Sequence, residues 1–254
     1  LLRTAKSGND WGPSELHAYN IRVEFQDAIA FFGVNPLPHP AVADEVLHNL
    51  AATDMVDDNN YKLLRYMDFA MDPVPAQESA VDGFVVFLLS LLGYVPREKM
   101  ARARTDIPLL ICGESRHATT DVCIVYADDN LLLVQEDKRH KEPKDPEPQL
   151  IAEAIAAFQS NNARRTHVLG QNPIPVETIP GITLKGSSPI FYKIPITTEL
   201  AESVALGLYP AAPTIVYAHL PKLPRPARRL SEGMRPLDIA IILSCYEAFK
   251  IFIN

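Results

Sequence analysis

The sequence predicts an α/β (α+β) protein in which a mixed β-sheet is flanked by helices. In the middle of the chain, apolar strand patterns at 107–112, 121–127 and 131–138 lie between helical patterns at 76–94 and 146–161. The prolines, which number 22, form clusters that separate these elements from one another. With 254 residues, 47% of them hydrophobic, the chain is long enough to bury a sizeable core.

The helices are predicted from apolar periodicity and from end signals. Residues 23–33 and 40–50 are expected to form short helices within a helical N-terminal extension, residues 1–75. Residues 76–94 are apolar nearly all round, which is typical of a buried helix, and Gly93 ends that helix. Residues 76–254 are predicted to form the main domain. Its last predicted helices cover 197–206, capped by Thr197 or Thr198, and 236–252.

The strands are predicted from apolar runs that are bounded by turn residues. Residues 128–130, Asp-Asp-Asn, are typical of a tight turn and are expected to join strands 121–127 and 131–138 as a hairpin. A second hairpin is expected across Gly186-Ser187-Ser188. Its two strands cover 181–185 and 190–196, and a further strand covers 214–219.

The net charge of −7 argues against a nucleic-acid binder until its distribution is considered. Residues 1–75 hold 11 Asp and Glu against 5 Lys and Arg, a net charge of −6. Residues 76–254 hold 20 against 19, a net charge of −1. The composition of the main domain is therefore compatible with a nucleic-acid partner.

Cysteine usage and apolar run length indicate the expected compartment. The three cysteines form no CxxC pair and no zinc-type cluster, so we expect reduced, buried thiols and an intracellular location. The longest apolar run, within 84–92, is far shorter than the roughly 20 residues that cross a bilayer. No membrane partner is expected.

Charged residues at the end of strand 131–138 predict a metal site. Side chains alternate along a strand, so Glu136 and Lys138 share one face while Asp137 points to the other. The tight turn is expected to bring Asp121, which opens the neighbouring strand, close to Glu136. Two converging carboxylates repel each other unless a divalent cation lies between them, and oxygen ligands favour Mg²⁺ or Mn²⁺.

The segment from Thr120-Asp121 to Glu136-Asp137-Lys138 resembles the D…(D/E)xK signature of the PD-(D/E)XK nuclease superfamily. The spacing between Asp121 and Glu136 (136 − 121 = 15 positions) fits two strands and a turn. The family usually has a Glu on the preceding helix and often a Gln early on the following helix, and Glu78 and Gln149 occupy those places. One departure is Asp137, because this middle residue is usually apolar. The rest of the chain is loosely similar to fungal proteins that share this core.

The resemblance implies a restriction-endonuclease-like core and a Mg²⁺-dependent phosphodiesterase that cleaves nucleic acid, with DNA as the expected substrate. A homodimer is common among such proteins. Under the resemblance, the metal ligands are Asp121, Glu136, the backbone carbonyl of Asp137, and Glu78. Lys138 positions the attacking water, and Gln149 orients the phosphate or Lys138. The basic residues expected along the nucleic-acid backbone are Arg139, Lys141, Lys144, Arg164 and Arg165.

Simpler structural explanations exist for several of these residues. Glu136 and Lys138 also fit a solvated strand end, and Glu78 fits a carboxylate favoured by a helix N-terminus. Gln149 and the basic residues also fit ordinary solvated surface. At the level of function, the alternative is a catalytically degenerate nuclease fold that acts as a nucleic-acid-binding or protein-interaction module.

Overall fold

The computed structural model describes residues 4–49, 51–71, 80–127, 129–136, 145–224 and 238–253. The helices are α1 (Pro13–Ala18), α2 (Ala28–Phe32), α3 (Asp44–His48), α4 (Asp58–Met71), α5 (Ala80–Leu91), α6 (Pro146–His167), α7 (Thr198–Leu206) and α8 (Ile239–Phe249). Short 3-10 helices lie at Gly8–Asp10, Ala52–Asp54 and Lys250–Phe252. The strands are β1 (Ile21–Phe25), β2 (Lys99–Ile111), β3 (Glu114–Tyr126), β4 (Asp129–Glu136), β5 (Val176–Lys185), β6 (Ser188–Thr197) and β7 (Thr214–His219).

The described strands form one seven-stranded mixed sheet, in the order β1-β7-β6-β5-β4-β3-β2. The pairs β1–β7 and β4–β5 are parallel, and the other neighbours are antiparallel. Strands β2, β3 and β4 form a meander, and α6 then carries the chain back so that β5 runs parallel to β4. The predicted α/β class, a mixed sheet flanked by helices, is confirmed.

The sheet buries apolar side chains on both faces, as the near-continuous apolar runs of its central strands require. Along β4, Leu132 and Val134 pack into one core cluster while Leu133, between them, packs into the other. Helices α4, α5 and α8 cover the first face, and α6 and α7 cover the second. Twelve residues of α6 are buried, because this helix lies across the middle of the sheet.

The N-terminal segment contains a strand where a helix is predicted. The prediction of one helix over 23–33 is wrong at its start, because Ile21–Phe25 pairs in parallel with β7 and only Ala28–Phe32 is helical. Apolar residues alternate with Arg22 and Glu24 in this stretch, a period of two that fits an edge strand. Residues 1–75 therefore contribute one edge of the same sheet that residues 76–254 build.

Other elements differ from the prediction mainly in length. The predicted strand at 107–112 is the end of the much longer β2, and the predicted helix at 40–50 is reduced to Asp44–His48. Helix α4 was not predicted, and α6 continues six residues past the predicted end at 161. The strand at 214–219 is confirmed, and Thr197 caps α7 by accepting a hydrogen bond from the Leu200 N–H at 3.1 Å.

Candidate metal centre

Three carboxylates from three different elements meet beside the β2–β3–β4 meander. Each of Asp82, Asp121 and Glu136 offers one oxygen atom, and the three atoms lie within 4.8 Å of one another. Asp82 and Asp121 are only 6% and 9% exposed, and Glu136 is half-buried at the end of β4. Carboxylates at this separation and depth repel one another strongly unless positive charge is close.

The register of the hairpin places the two strand carboxylates at the same end of strands β3 and β4. Val122 of β3 pairs with Val134 of β4, so Asp121 and Glu136 both lie just beyond that pair, at the same end of the hairpin. The Glu136 N–H donates a hydrogen bond to Asp121 Oδ2 at 2.8 Å, which fixes the Asp121 carboxylate against the β4 backbone.

The third carboxylate comes from the helix that precedes the meander. Asp82 lies in the first turn of α5 and is the one charged residue between Ala80 and Leu91. Its neighbours Val81 and Phe84 are fully buried in the core cluster on that face of the sheet, so the helix is anchored on both sides of the carboxylate.

A guanidinium from the edge strand contacts the cluster. Arg104 Nε lies 3.4 Å from Asp82 Oδ2, and the Arg104 side chain is 57% exposed. In the β2–β3 ladder, Ala103 pairs with Val122 and Thr105 with Thr120, so Arg104 and Asp121 are the intervening residues on the two strands. Because the Arg104 side chain is largely in water, the ion pair contributes at most about 1 kcal/mol to stability.

The backbone is irregular where β2 and β3 pass the cluster. Arg104 has a φ of 50°, in the left-handed region that costs a residue with a Cβ roughly 1–2 kcal/mol. On β3, Ala118 and Val122 are an even number of residues apart, yet they pack into opposite core clusters. Side-chain alternation is therefore interrupted between them, at Thr119, Thr120 and Asp121. Strained and irregular strand positions of this kind are often found at functional sites.

Thr120 stabilises the irregular stretch from inside the protein. Its side chain is fully buried, and its hydroxyl lies 3.0 Å from the carbonyl oxygen of Val122 and 3.2 Å from that of Val134. The hydroxyl thereby bridges β3 and β4 next to Asp121 and helps to hold the two strand carboxylates in place.

The structure brings together two of the residues that the sequence singles out, Asp121 and Glu136. Gln149 lies in the first turn of α6 and is half-buried. The remaining predicted residues of the centre and its basic loop fall outside the described residues: Glu78, Asp137, Lys138, Arg139, Lys141 and Lys144. Their roles stay predictions.

Arg164 and Arg165 lie near the opposite end of β4 from the carboxylates, and their contact with a nucleic-acid backbone stays a prediction. Arg164 Nη1 lies 3.3 Å from Asp129 Oδ1, and Arg165 Nε donates to the Asn172 carbonyl at 3.3 Å. Asp129 begins β4 and Glu136 ends it, so the seven-residue rise between them is about 23 Å. Both arginines lie in the last turn of α6, which is a helix of 22 residues.

Sequence reasoning missed Asp82 and Arg104. A signal for Asp82 was present, since it is the one charged residue in the run from Ala80 to Leu91 and follows Glu78 by four positions in the sequence. Arg104 gave no signal, because its position depends on the pairing of β2 with β3 and on the left-handed backbone at that residue.

The donor set fits a hard divalent cation. All three groups offer carboxylate oxygens, the ligands that Mg²⁺, Mn²⁺ and Ca²⁺ prefer, and the cluster offers no thiolate or imidazole. Three carboxylates with one guanidinium beside them form a predominantly acidic set of groups, which suits a divalent cation. The donor set therefore identifies the chemical class of the ion, a hard divalent cation, and the same oxygen donors accept any of these three metals.

A cysteine and a histidine also lie close together elsewhere in the protein, but Cys245 and His219 do not form a nucleophilic site. The Cys245 sulfur lies 3.9 Å from His219 Nε2, but the two residues are only 1% and 2% exposed. Burial raises the pKa of the Cys245 thiol to about 12 and lowers the pKa of His219, so both groups are neutral at pH 7. A buried protonated thiol packs as a small apolar group.

The fold and the cluster define a mixed α/β protein with a candidate divalent-metal centre on its β-meander. No model of a protein family matches the chain, and no curated protein sequence matches it. In the described part of the chain, no helix has both the length and the apolar composition that crossing a membrane requires.

Proposed function

We propose that this protein is a metal-dependent nuclease that hydrolyses phosphodiester bonds in nucleic acid, with DNA as the expected substrate. The observation that carries the proposal is the convergence of Asp82, Asp121 and Glu136 to within 4.8 Å. The order of elements supports it, since α5, the Asp121 strand, the Glu136 strand and α6 follow one another as the resemblance to the PD-(D/E)XK nucleases expects.

The residues that would hold the metal are Asp82, Asp121 and Glu136. A bound Mg²⁺ or Mn²⁺ polarises the phosphate and lowers the pKa of a coordinated water. The chain's own contribution is to keep the oxygen ligands in place before the ion arrives. Asp121 is held by the Glu136 N–H, so this carboxylate needs little reorganisation to bind.

Other residues of the proposal have roles that rest on the resemblance. Lys138 follows Glu136 by two positions and shares its face if the strand continues, so it would orient the attacking water. Gln149 would orient the phosphate or Lys138, and the backbone carbonyl of Asp137 and the carboxylate of Glu78 would complete the ligand set.

The second candidate is a nuclease-like fold without catalysis that binds nucleic acid or a protein. The contact that favours it is the ion pair between Arg104 and Asp82, because a guanidinium can compensate part of the cluster's charge without a metal. Under this alternative, Asp121 and Glu136 serve to hold the end of the β3–β4 hairpin.

Metal binding separates the two candidates. Isothermal titration calorimetry with Mn²⁺ is expected to show micromolar to millimolar affinity for the wild type and at least a tenfold weaker affinity for Glu136→Ala. The matched control is Glu24→Ala, which removes an exposed carboxylate from edge strand β1 and should leave Mn²⁺ binding unchanged.

Cleavage then tests the reaction itself. Fluorescently labelled single- and double-stranded DNA and RNA are incubated with Mg²⁺ and with wild type or Asp121→Asn. We expect metal-dependent cleavage by the wild type and none by the variant, with circular dichroism spectra that match. If the wild type binds no Mn²⁺ even with an oligonucleotide present, and cleaves none of the four substrates, the non-catalytic alternative is correct.

A further inference from the structure

The first half of edge strand β2 and the turn before it form a basic stretch, which we call the basic edge (residues 97–104). It contains Arg97, Lys99, Arg102 and Arg104 against a single acidic residue, Glu98, so its formal charge is +3. The whole chain has a net charge of −7, so the charge of the basic edge is opposite in sign to that of the protein as a whole. Positive charge concentrated on one edge of an acidic protein attracts a polyanion.

The basic edge is accessible because β2 is the last strand of the sheet. Among the described strands, β2 has a neighbour on one side only, which is β3. Arg97, Glu98, Arg102 and Arg104 are exposed, while Lys99 is half-buried and donates to the Ile253 carbonyl at 2.8 Å. The three arginines therefore provide contacts from the surface, and Lys99 adds charge.

Arg104 connects the basic edge to the metal centre. It reaches Asp82 through Nε alone, whereas the fork of an arginine offers four more N–H donors on its two terminal nitrogens. The Arg104 side chain is 57% exposed, so a ligand can reach it from the solvent. An arginine held in this way presents the paired donors that bind phosphate oxygens in a bidentate manner.

Two of the other arginines predicted to contact the nucleic-acid backbone lie away from the carboxylate cluster. Arg164 pairs with Asp129 and Arg165 with the Asn172 carbonyl, about one β4 length away from Glu136. In the described part of the chain, the basic edge is the concentration of positive charge that contacts the carboxylate cluster.

We propose that the sugar–phosphate backbone of a nucleic-acid strand binds along the basic edge and that Arg104 contacts the phosphate next to the carboxylate cluster. The proposal rests on the proposed function for the identity of the substrate and adds where that substrate lies. It also assigns Arg104 two partners: Asp82 in the free protein and a phosphate oxygen in the complex.

The test is DNA binding without divalent metal, so that it does not depend on metal affinity or cleavage. Fluorescence anisotropy with a labelled DNA duplex is measured over a series of salt concentrations. Arg104→Gln is expected to weaken binding about fivefold to tenfold and to reduce the slope of log affinity against log salt by about 0.9, the value for one lost phosphate contact. Arg22→Gln, which removes an exposed arginine from the opposite edge strand β1, is the matched control and should change neither quantity.

A second variant excludes misfolding as the cause. Glu98→Gln removes the one acidic residue of the basic edge and is expected to strengthen DNA binding about twofold, a gain that a damaged fold does not give. Polyglutamate serves as a competing polyanion without phosphate groups. At the same concentration of charge as the DNA, it should not displace the DNA from a site that binds phosphate.

The possible outcomes separate this proposal from the proposed function. Unchanged binding by both Arg104→Gln and Glu98→Gln, or an equal loss with Arg22→Gln, would overturn the basic edge as the binding surface. Loss of cleavage and of Mn²⁺ binding, with the Arg104-dependent salt slope intact, would reject the catalytic function and leave the binding surface established.

Discussion

At the scale of single residues, the candidate centre depends on side chains whose positions are fixed by different means. Asp121 is fixed by a hydrogen bond from the Glu136 N–H, Asp82 by the burial of its helix, and Arg104 by a left-handed backbone on an edge strand. The sequence identified Asp121 and Glu136 because charged residues at the ends of apolar strands are costly to bury without compensation. It did not identify Arg104, because nothing local marks a residue whose partner lies 22 positions away.

Asp82 provides a prediction at this scale. Asp82→Asn keeps the shape of the side chain but removes one of three charges from the cluster, so we expect Mn²⁺ affinity to fall at least tenfold, as for Glu136→Ala. Isothermal titration calorimetry measures the affinity.

Asp68→Asn is the matched control for Asp82→Asn. Asp68 is also a helical aspartate with an arginine 3.4 Å away, Arg65, but it lies on α4 and is not a member of the carboxylate cluster. A similar loss of affinity in both variants would show that the effect is general charge removal. Unchanged affinity in Asp82→Asn would exclude Asp82 as a ligand.

At the scale of elements, the strands of the meander show which strands an apolar sequence pattern predicts and which it does not. β3 and β4 were predicted because both are buried on two faces and are therefore almost continuously apolar at the predicted positions. The first half of β2 was not predicted, because an edge strand exposed to water tolerates the charged residues of the basic edge.

The end of β2 is closed by a side chain from α6. Gln159 accepts a hydrogen bond from the Leu110 N–H at 2.9 Å and donates one to the Leu110 carbonyl at 3.1 Å. One amide group thus satisfies both backbone groups of an edge-strand residue, as a neighbouring strand would. This contact joins the edge of the sheet to the helix that covers it.

We predict that Gln159→Ala lowers the free energy of unfolding by about 1–2 kcal/mol, because two backbone hydrogen bonds lose their partner. Chemical denaturation in urea, followed by circular dichroism, measures the change. Gln171→Ala, at an exposed glutamine after α6, should change the free energy by less than about 0.5 kcal/mol. Equal stability of the two variants would show that water replaces the Gln159 amide at no cost.

At the scale of the whole molecule, the N-terminal segment is part of the core. Phe31 and Phe32 of α2 are 1% and 2% exposed and belong to the same core cluster as Phe191 of β6 and Phe249 of α8. The Phe191 and Phe249 rings lie 5.0 Å apart between centroids, and Phe32 lies 6.0 Å from Phe191. Residues distant in the sequence thereby form one aromatic cluster.

A fragment of residues 76–254 is therefore expected to lose cooperative folding, although the sequence suggested this range as the main domain. Removing residues 1–75 takes away β1 and exposes the surfaces that Phe31 and Phe32 cover. Thermal denaturation followed by circular dichroism compares the fragment with the full chain. A sharp transition near that of the full chain would instead support an independent domain beginning at residue 76.

The sequence by itself determined the class of the fold, most of the central strands, and the two strand carboxylates of the candidate centre. These features depend on local periodicity and on the cost of burying charge, which are properties of short stretches of chain. The tertiary structure decided that the alternating stretch Ile21–Phe25 pairs as an edge strand with β7, that Asp82 meets the two strand carboxylates and that Arg104 contacts Asp82. Each of these depends on which strand or helix lies alongside, and pairing between distant segments is set by the packing of the whole sheet rather than by any local pattern.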